Sequence, residues 1–267
     1  MSFLKSMMGR KVPVEMLELE MGQPEPDGAL FVTGDIHGRI DLLEDILGQI
    51  DKVIGEQRYP DPKLIFLGDA IDRGPDSQAV LRRLHALSAE FPDNFICLMG
   101  NHEQMLLDFL EDPSARYSRW LRNGGLATCQ SFGLDVSAPN IGGDVAEELA
   151  VDLEDVMGKA LIDWLRARPT KYISGNVAMV HAAVDPSKDI EMQADRVLIW
   201  GHPDFLSRSR SDGIWVVHGH TTVEQPSCQD RRVSIDTGAY DSGVLTSAIM
   251  FPGEDVSFLT TSVSQSH

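Results

Sequence analysis

Apolar residues follow two rhythms along this chain. Short continuous apolar runs at residues 29–33, 64–67 and 95–99 have the length and composition of buried strands. Between them, residues 40–54 and 77–90 repeat apolar positions at helical spacing. Val80, Leu81, Leu84 and Leu87 share one face of the second helix, and Ser77 stands where a cap belongs. A further helix begins at 103 and runs to 110. Strand–helix alternation of this kind predicts a sheet with helices packed on it. Residues 114–168 read as helices and loops, with turns at the "NGG" of 123–125 and the "NIGG" of 140–143. The last third changes character: 177–180, 214–217, 232–235 and 244–250 are strand candidates divided by glycine-bearing turns. The expected fold class is α/β, two sheets flanked by helices. A single domain is expected over 28–262, with an N-terminal arm at 1–27 and a tail at 263–267.

Composition narrows the setting. A chain of 267 residues, 42% hydrophobic and 24% charged, suits one large soluble domain. No stretch approaches the ~20 apolar residues that cross a bilayer. The opening "MSFLKSMMGRKVPVE" has basic residues but no apolar core of a signal peptide. It reads as a solvated arm, with a weak amphipathic anchor as the alternative. Cys97, Cys129 and Cys228 show no CxxC spacing and read as free thiols, which points to a reducing, cytoplasmic setting. The net charge of −18 repels nucleic acid and anionic membranes, so neither is an expected partner. It also repels phosphate esters. A phosphate substrate would need strong local positive charge, and bound cations are the obvious source.

Chemistry gathers where the apolar runs stop. "VTGDIHG", "FLGDAIDRGPDS", "LMGNHE", "MVHAAVDP" and "VVHGHT" each follow a strand candidate. In open α/β sheets the ligand crevice lies beyond the carboxyl ends of the strands. Asp35, His37, Asp69, Asn101, His181 and His220 can therefore converge from distant parts of the chain. The flanking glycines either supply φ > 0 or let backbone come close to a ligand. Two carboxylates, an amide oxygen and three imidazoles suit Mn²⁺, Fe or Zn²⁺. Six such groups are many for one ion. With one carboxylate shared they serve two ions ~3.5–4 Å apart, an arrangement suited to displacement at phosphorus.

With these motifs in view, the chain resembles the phosphoprotein phosphatase branch of the calcineurin-like metallophosphoesterases. "GDIHG", "GDAIDRG", "GNHE", His181 and the "GHT" of His220 carry the resemblance; "WLRNGGLATCQSFG" and "IDTGAYDSGVLTSAIM" are similar to its bacterial and phage members. It runs from about residue 30 to 250. It implies a central two-sheet β-sandwich with helices on both outer faces. It further implies that Asp35 and His37 hold a first metal, Asp69 bridges, and Asn101, His181 and His220 hold a second. The pair is expected to be manganese, with iron or zinc as alternatives. His102 resembles the acid that protonates the leaving group and Asp72 the carboxylate that orients it. Arg73 resembles a phosphate clamp, with Asn101 also contacting substrate.

One departure stands out. The family places a second arginine just after the tryptophan of a segment like "VLIW", and here the chain reads "VLIWGHPDFLSRSR". His202 occupies that place as a candidate phosphate contact, with Arg208 and Arg210 as alternatives. His218, beside His220, is expected to face away from the metals. The expected activity is metal-dependent hydrolysis of phosphomonoesters by in-line attack of a metal-bridging hydroxide. The expected substrates are phosphoserine or phosphothreonine proteins and small aryl phosphates. The alternative is symmetric hydrolysis of dinucleoside polyphosphates such as diadenosine tetraphosphate, which calls for additional cations and a stacking surface; the Trp200 region and "RSR" are the candidates. A non-catalytic binding module is the third reading.

Overall fold

A computed structural model describes residues 22–261 except 58, 137, 138, 140 and 141. The arm expected at 1–27 falls outside the described residues up to 21, as do the tail at 263–267 and, in the "NIGG" turn, 140 and 141. Residues 23–27 lie against the second sheet. Glu25 N donates to Asn176 Oδ1 at 2.6 Å and Asp27 N to Ser174 Oγ at 3.0 Å.

The first half alternates as its rhythm predicts: β1 (Leu30–Thr33), α1 (Ile40–Gln57), β2 (Lys63–Phe66), α2 (Ser77–Glu90), β3 (Phe95–Cys97) and α3 (Asn101–Glu111). Then come α4 (Pro113–Trp120), a π-helical turn (Leu121–Gly125), α5 (Leu126–Ser131), α6 (Gly143–Met157) and α7 (Lys159–Arg166). The second half supplies β4 (Lys171–Ser174), β5 (Val177–Val180), α8 (Asp195–Trp200), β6 (Trp215–His218), β7 (Ser227–Gln229), β8 (Arg232–Ser234), α9 (Ala239–Ser242), β9 (Thr246–Met250) and β10 (Ser257–Thr260). The strands form two five-stranded sheets, ordered β10-β9-β1-β2-β3 and β4-β5-β6-β8-β7. In the first, β1, β2 and β3 are parallel, with β9 and β10 antiparallel on one side; in the second, the central β5, β6 and β8 are parallel, with an antiparallel strand at each edge.

The sheets pack face to face as a sandwich. Leu30, Val32, Ile65 and Leu67 from the first meet Val177, Met179, Val217 and Val233 from the second. The alternate residues face outward: Phe31 and Phe66 under α1 and α2, and Ala178, Val180 and Val216 under α8. Burial on both faces is why these strands read as continuous apolar runs rather than as alternation. β4, β7 and β10 escaped the sequence reading because they are half-exposed border strands with mixed side chains.

Ser77 is not the cap of α2. Asp76 holds that position, and the buried Ser77 hydroxyl accepts instead from Asp72 N at 3.0 Å, inside the loop that follows β2. The "NGG" turn is a kink between α4 and α5 in which Gly124 takes φ 112 and its carbonyl accepts from Arg73 N at 3.3 Å.

Candidate metal centre

All six parallel strands end on one side of the sandwich, and each delivers polar groups there. β1 leads to Asp35 and His37; β2 to Asp69, Asp72 and Arg73; β3 to Asn101 and His102. β5 leads to His181, β6 to His220 and β8 to Asp236. Asp69 sits at the centre. It belongs with His37 and His102 to one group of donor atoms and with His181 and His220 to another, each within 4.8 Å. Asn101 Oδ1 joins the second group, 2.9 Å from His181 Nε2 and 2.8 Å from His220 Nδ1. Asp35 stands outside both compact groups. Its two oxygens accept from His220 N at 3.2 and 3.1 Å.

Of the flanking glycines, Gly38 (64) and Gly68 (100) supply the positive φ expected of them, but it falls also on functional residues: His37 (47), Asp69 (49), Asp72 (71), Arg73 (68) and His220 (60). Several glycines serve close approach instead. A Cβ on Gly219 would lie 2.0 Å from Asp35 Oδ1, and one on Gly100 would lie 2.3 Å from Asp69 N and Oδ1. Side chains there would push the two carboxylates out of the site.

The donor set fits divalent cations. His37 Nδ1 donates to Ile71 O at 2.8 Å and His181 Nδ1 to Leu67 O at 3.0 Å, which leaves each Nε2 with a lone pair facing Asp69. Burial pushes His37 down to about 3 and His220 to about 4, and lowers His181, so these rings are neutral at neutral pH, as ligands must be. His181 Nε2 and Asn101 Oδ1 are then two acceptors 2.9 Å apart. A cation, not a proton, reconciles such a contact. The carboxyl groups say the same. Burial, then repulsion from Asp236 and Asp69, raises Asp35 well above the carboxylate range; burial also raises Asp236. Burial opposes the charge on Asp69, yet its pKa falls below the usual carboxylate range: His102, whose own pKa is raised, stands beside it and donates its backbone N–H to Oδ1 at 3.0 Å.

Beside this cluster, Asp72 is fully buried and heavily bonded. Its Oδ2 accepts from His102 Nδ1 at 2.7 Å; Thr128 Oγ1 donates to Oδ1 at 2.6 Å and Trp120 Nε1 to Oδ2 at 3.1 Å. Burial opposes protonation of His102, yet Asp69 and the hydrogen-bonded Asp72 more than offset it and raise its pKa. Arg73 is exposed at the mouth, with Nη2 donating to His102 Nε2 at 3.2 Å.

Three further candidates have partners or positions of their own. His202 Nδ1 accepts from Asp204 N at 3.2 Å, and its Nε2 lies 3.8 Å from Asp185 Oδ2. Arg210 is buried and committed to Asp212 and to the carbonyls of Asp185 and Lys188. Arg208 is exposed in the loop between them. His218 packs as expected, donating to Gly219 O at 3.0 Å and accepting from Ser234 Oγ at 2.8 Å.

Sequence reasoning gave no role to Glu103, Asp236, Trp120 or Thr128. Glu103 ties two strand ends together: it accepts from Asp69 N and Ala70 N at 2.8 Å and from Gly100 N at 3.1 Å. Burial and the nearby Asp69 raise it to about 7. The signal for Asp236 was present, since "VSIDTG" also ends an apolar run with an aspartate and a glycine. Trp120 and Thr128 reach Asp72 from helices far along the chain, and no local pattern announces that.

A sandwich flanked by helices, with carboxylates and imidazoles converging at its strand ends, defines a metallophosphoesterase. Residues 29–224 match the calcineurin-like phosphoesterase family, and the chain belongs to it. The family uses divalent metals, and the chain is a hydrolase of that family. Among curated relatives, it is 26% identical to serine/threonine-protein phosphatase 2 of Salmonella typhimurium, over 81% of this chain and 90% of that one. It is 25% identical to the asymmetrical bis(5'-nucleosyl)-tetraphosphatase PrpE of Oceanobacillus iheyensis, over 84% and 89%. It is 30% identical to the symmetrical bis(5'-nucleosyl)-tetraphosphatase of Janthinobacterium sp. (strain Marseille) over 58% of this chain, which spans only 44% of that relative. A yeast serine/threonine phosphatase structure with similarity to human PP5 superposes with a TM-score of 0.57 at 16% identity, over 90% and 81%, and shares the fold.

Glu103→Gln tests the buried strut. The folded-state pKa of Glu103 lies above its unfolded value, so its contribution is greatest below about 4.5 and is lost as pH rises through about 7. In metal-free protein, the stability advantage of wild type over Glu103→Gln is expected to shrink across that window in urea titrations. A difference independent of pH would show that Glu103 titrates like an exposed glutamate.

Proposed function

We propose that the chain is a cytoplasmic dinuclear-metal phosphomonoesterase acting on phosphoserine and phosphothreonine in proteins. The observation that carries the reading is the position of Asp69, shared by two groups of donor atoms. One ion would be held by Asp35, His37 and Asp69, the other by Asp69, Asn101, His181 and His220, with manganese the pair best matched to oxygen and neutral imidazole. When bound, such ions polarise phosphoryl oxygens and lower the pKa of water towards ~7.

The remaining work belongs to the side chains. Asp72 fixes His102 through Nδ1, so only Nε2 can carry a mobile proton. Arg73 now donates to that Nε2. A phosphoryl group that draws Arg73 onto its own oxygens frees Nε2 to take up a proton, which the raised pKa of His102 favours, and Nε2–H then passes it to the departing alkoxide. The exposed position of Arg73 leaves room for a protein-borne phosphate at the mouth.

The second reading, hydrolysis of a bis(5'-nucleosyl) tetraphosphate, is supported by the relatives that carry that name. Two features weigh against it. Arg210 is already spent on Asp212 and backbone carbonyls, and the Trp200 ring is partly buried, with the Arg119 guanidinium 4.2 Å from its centroid on a face a base would use. Comparing kcat/KM for a phosphoserine peptide and diadenosine tetraphosphate in the Mn²⁺-loaded enzyme decides between them. The peptide is expected to win, and a preference for the tetraphosphate would overturn the primary reading.

His102→Asn is expected to lower kcat by about 10²–10⁴-fold on a phosphoserine peptide, the range for a positioned general acid, and far less on p-nitrophenyl phosphate. Nitrophenolate leaves with little help from a proton. Equal losses on both substrates would remove His102 from the acid role.

Asp69→Asn is expected to abolish the rise in melting temperature that excess Mn²⁺ gives wild type. Binding to the native state alone adds about 2.7 kcal/mol at 100 times Kd. An unchanged rise in the variant would place the ions elsewhere.

A further inference from the structure

An exposed arginine at the mouth of a cleft ordinarily samples many rotamers, and each must be given up on binding. Arg73 is restrained at three points. Its backbone holds φ 68, directly after Asp72 at φ 71, and its N–H donates to Gly124 O at 3.3 Å. Its Nη2 lies 3.2 Å from His102 Nε2. Its guanidinium carbon stands 4.8 Å from the centroid of the Tyr240 ring.

Tyr240 is placed to do this and little else. It is 41% exposed, so the core does not account for it. Its ring lies edge-on to His37 with centroids 5.4 Å apart. It sits in α9, a single turn closed at both ends by left-handed glycines, Gly238 (φ 67) and Gly243 (φ 72). Side chains fasten that turn: Ser242 Oγ donates to Thr237 O at 2.7 Å, Arg39 Nη1 donates to Ala239 O at 3.0 Å, and Asp236 Oδ1 accepts from Gly238 N at 2.8 Å. A rigid aromatic ring is thus fixed beside the Arg73 guanidinium.

We propose that Tyr240 is a positioning residue for phosphate capture: its ring holds the Arg73 guanidinium by a cation–π contact, so that the phosphoryl group meets a pre-oriented donor. The inference rests on the proposed phosphomonoesterase reading. Guanidinium suits the task because its face can rest on an aromatic ring while its N–H edge remains free for two oxygens. The ring, not the hydroxyl, carries the effect. Phenylalanine should therefore replace tyrosine and alanine should not.

The test is a double-mutant cycle in Mn²⁺-loaded protein with Tyr240→Phe, Tyr240→Ala, Arg73→Ala and the Arg73→Ala/Tyr240→Ala pair. It reads KM and kcat for p-nitrophenyl phosphate and the Kd of inorganic phosphate by calorimetry. Tyr240→Phe is expected to stay within about twofold of wild type. Tyr240→Ala is expected to raise KM and the phosphate Kd about 2–5-fold, the size of a half-exposed cation–π contact, with kcat changed less than twofold. In the Arg73→Ala background the same change should add nothing. Loss of binding in Tyr240→Phe equal to that in Tyr240→Ala would assign the role to the hydroxyl and overturn the proposal. A full Tyr240→Ala effect without Arg73 would also overturn it, as would a loss confined to kcat. Wild-type turnover with an unaffected Tyr240→Ala defeats this inference alone; a wild type that neither hydrolyses the ester nor binds phosphate defeats the phosphomonoesterase reading with it.

Discussion

Five carboxyl groups, Asp35, Asp69, Asp72, Glu103 and Asp236, are buried at one end of a β-sandwich, close enough to shift one another's ionisation. In a low-dielectric interior, unpaired charge of this density is strongly unfavourable. The rest of the site can be understood as the means of holding it. Backbone N–H groups of Asp69, Ala70 and Gly100 converge on Glu103, that of His220 on Asp35 and that of Gly238 on Asp236. Neutral imidazoles, fixed by carbonyls on their far side, surround Asp69. The negative charge left over is what bound divalent cations would neutralise, which would make metal binding and stability of this end of the fold one problem.

Aiming so many groups at one point has a conformational cost. Five non-glycine residues of the site take left-handed φ, a conformation worth roughly 1–2 kcal/mol of strain each in an unconstrained chain. The loops that carry them are cross-linked to offset it. Glu103 joins the loop after β2 to the start of α3, and Ser77 with Thr128 joins Asp72 to α2 and α5. These links run between strand ends, so the ligands of one group cannot shift without disturbing the other.

Much of this was legible before the fold was known, and the reason is chemical. Buried parallel strands leave continuous apolar runs, and the polar residues that end them stand out against that background. This exposed Asp35, His37, Asp69, Asn101, His181 and His220 at once. What stayed hidden has no such contrast. β4, β7 and β10 are half-polar border strands. Ser77 looked like a helix cap because a serine before an apolar face usually is one, but its hydroxyl was needed by Asp72. Trp120 and Thr128 are joined to Asp72 across 48 and 56 residues of chain, a relation that only packing creates. His202 had its place in the sequence right and its surroundings unknown: Asp185, which faces it, lies seventeen positions earlier on another loop.

The same division separates two parts of the site, which bears on relatives that carry different substrate names. The groups around Asp69 come from the ends of parallel strands, where both sheets and Glu103 hold them rigid. Groups beside that centre come from elsewhere: Arg73 beside the α4–α5 kink and Tyr240 on α9. These are short turns and helix ends, where a substitution alters a rim contact without moving a ligand. Selectivity can therefore drift while the chemistry stays fixed. In this chain the Arg73 guanidinium rests on the Tyr240 ring, against a background of −18. Local placement of such a group, rather than net charge, would then govern which phosphate ester reaches the centre.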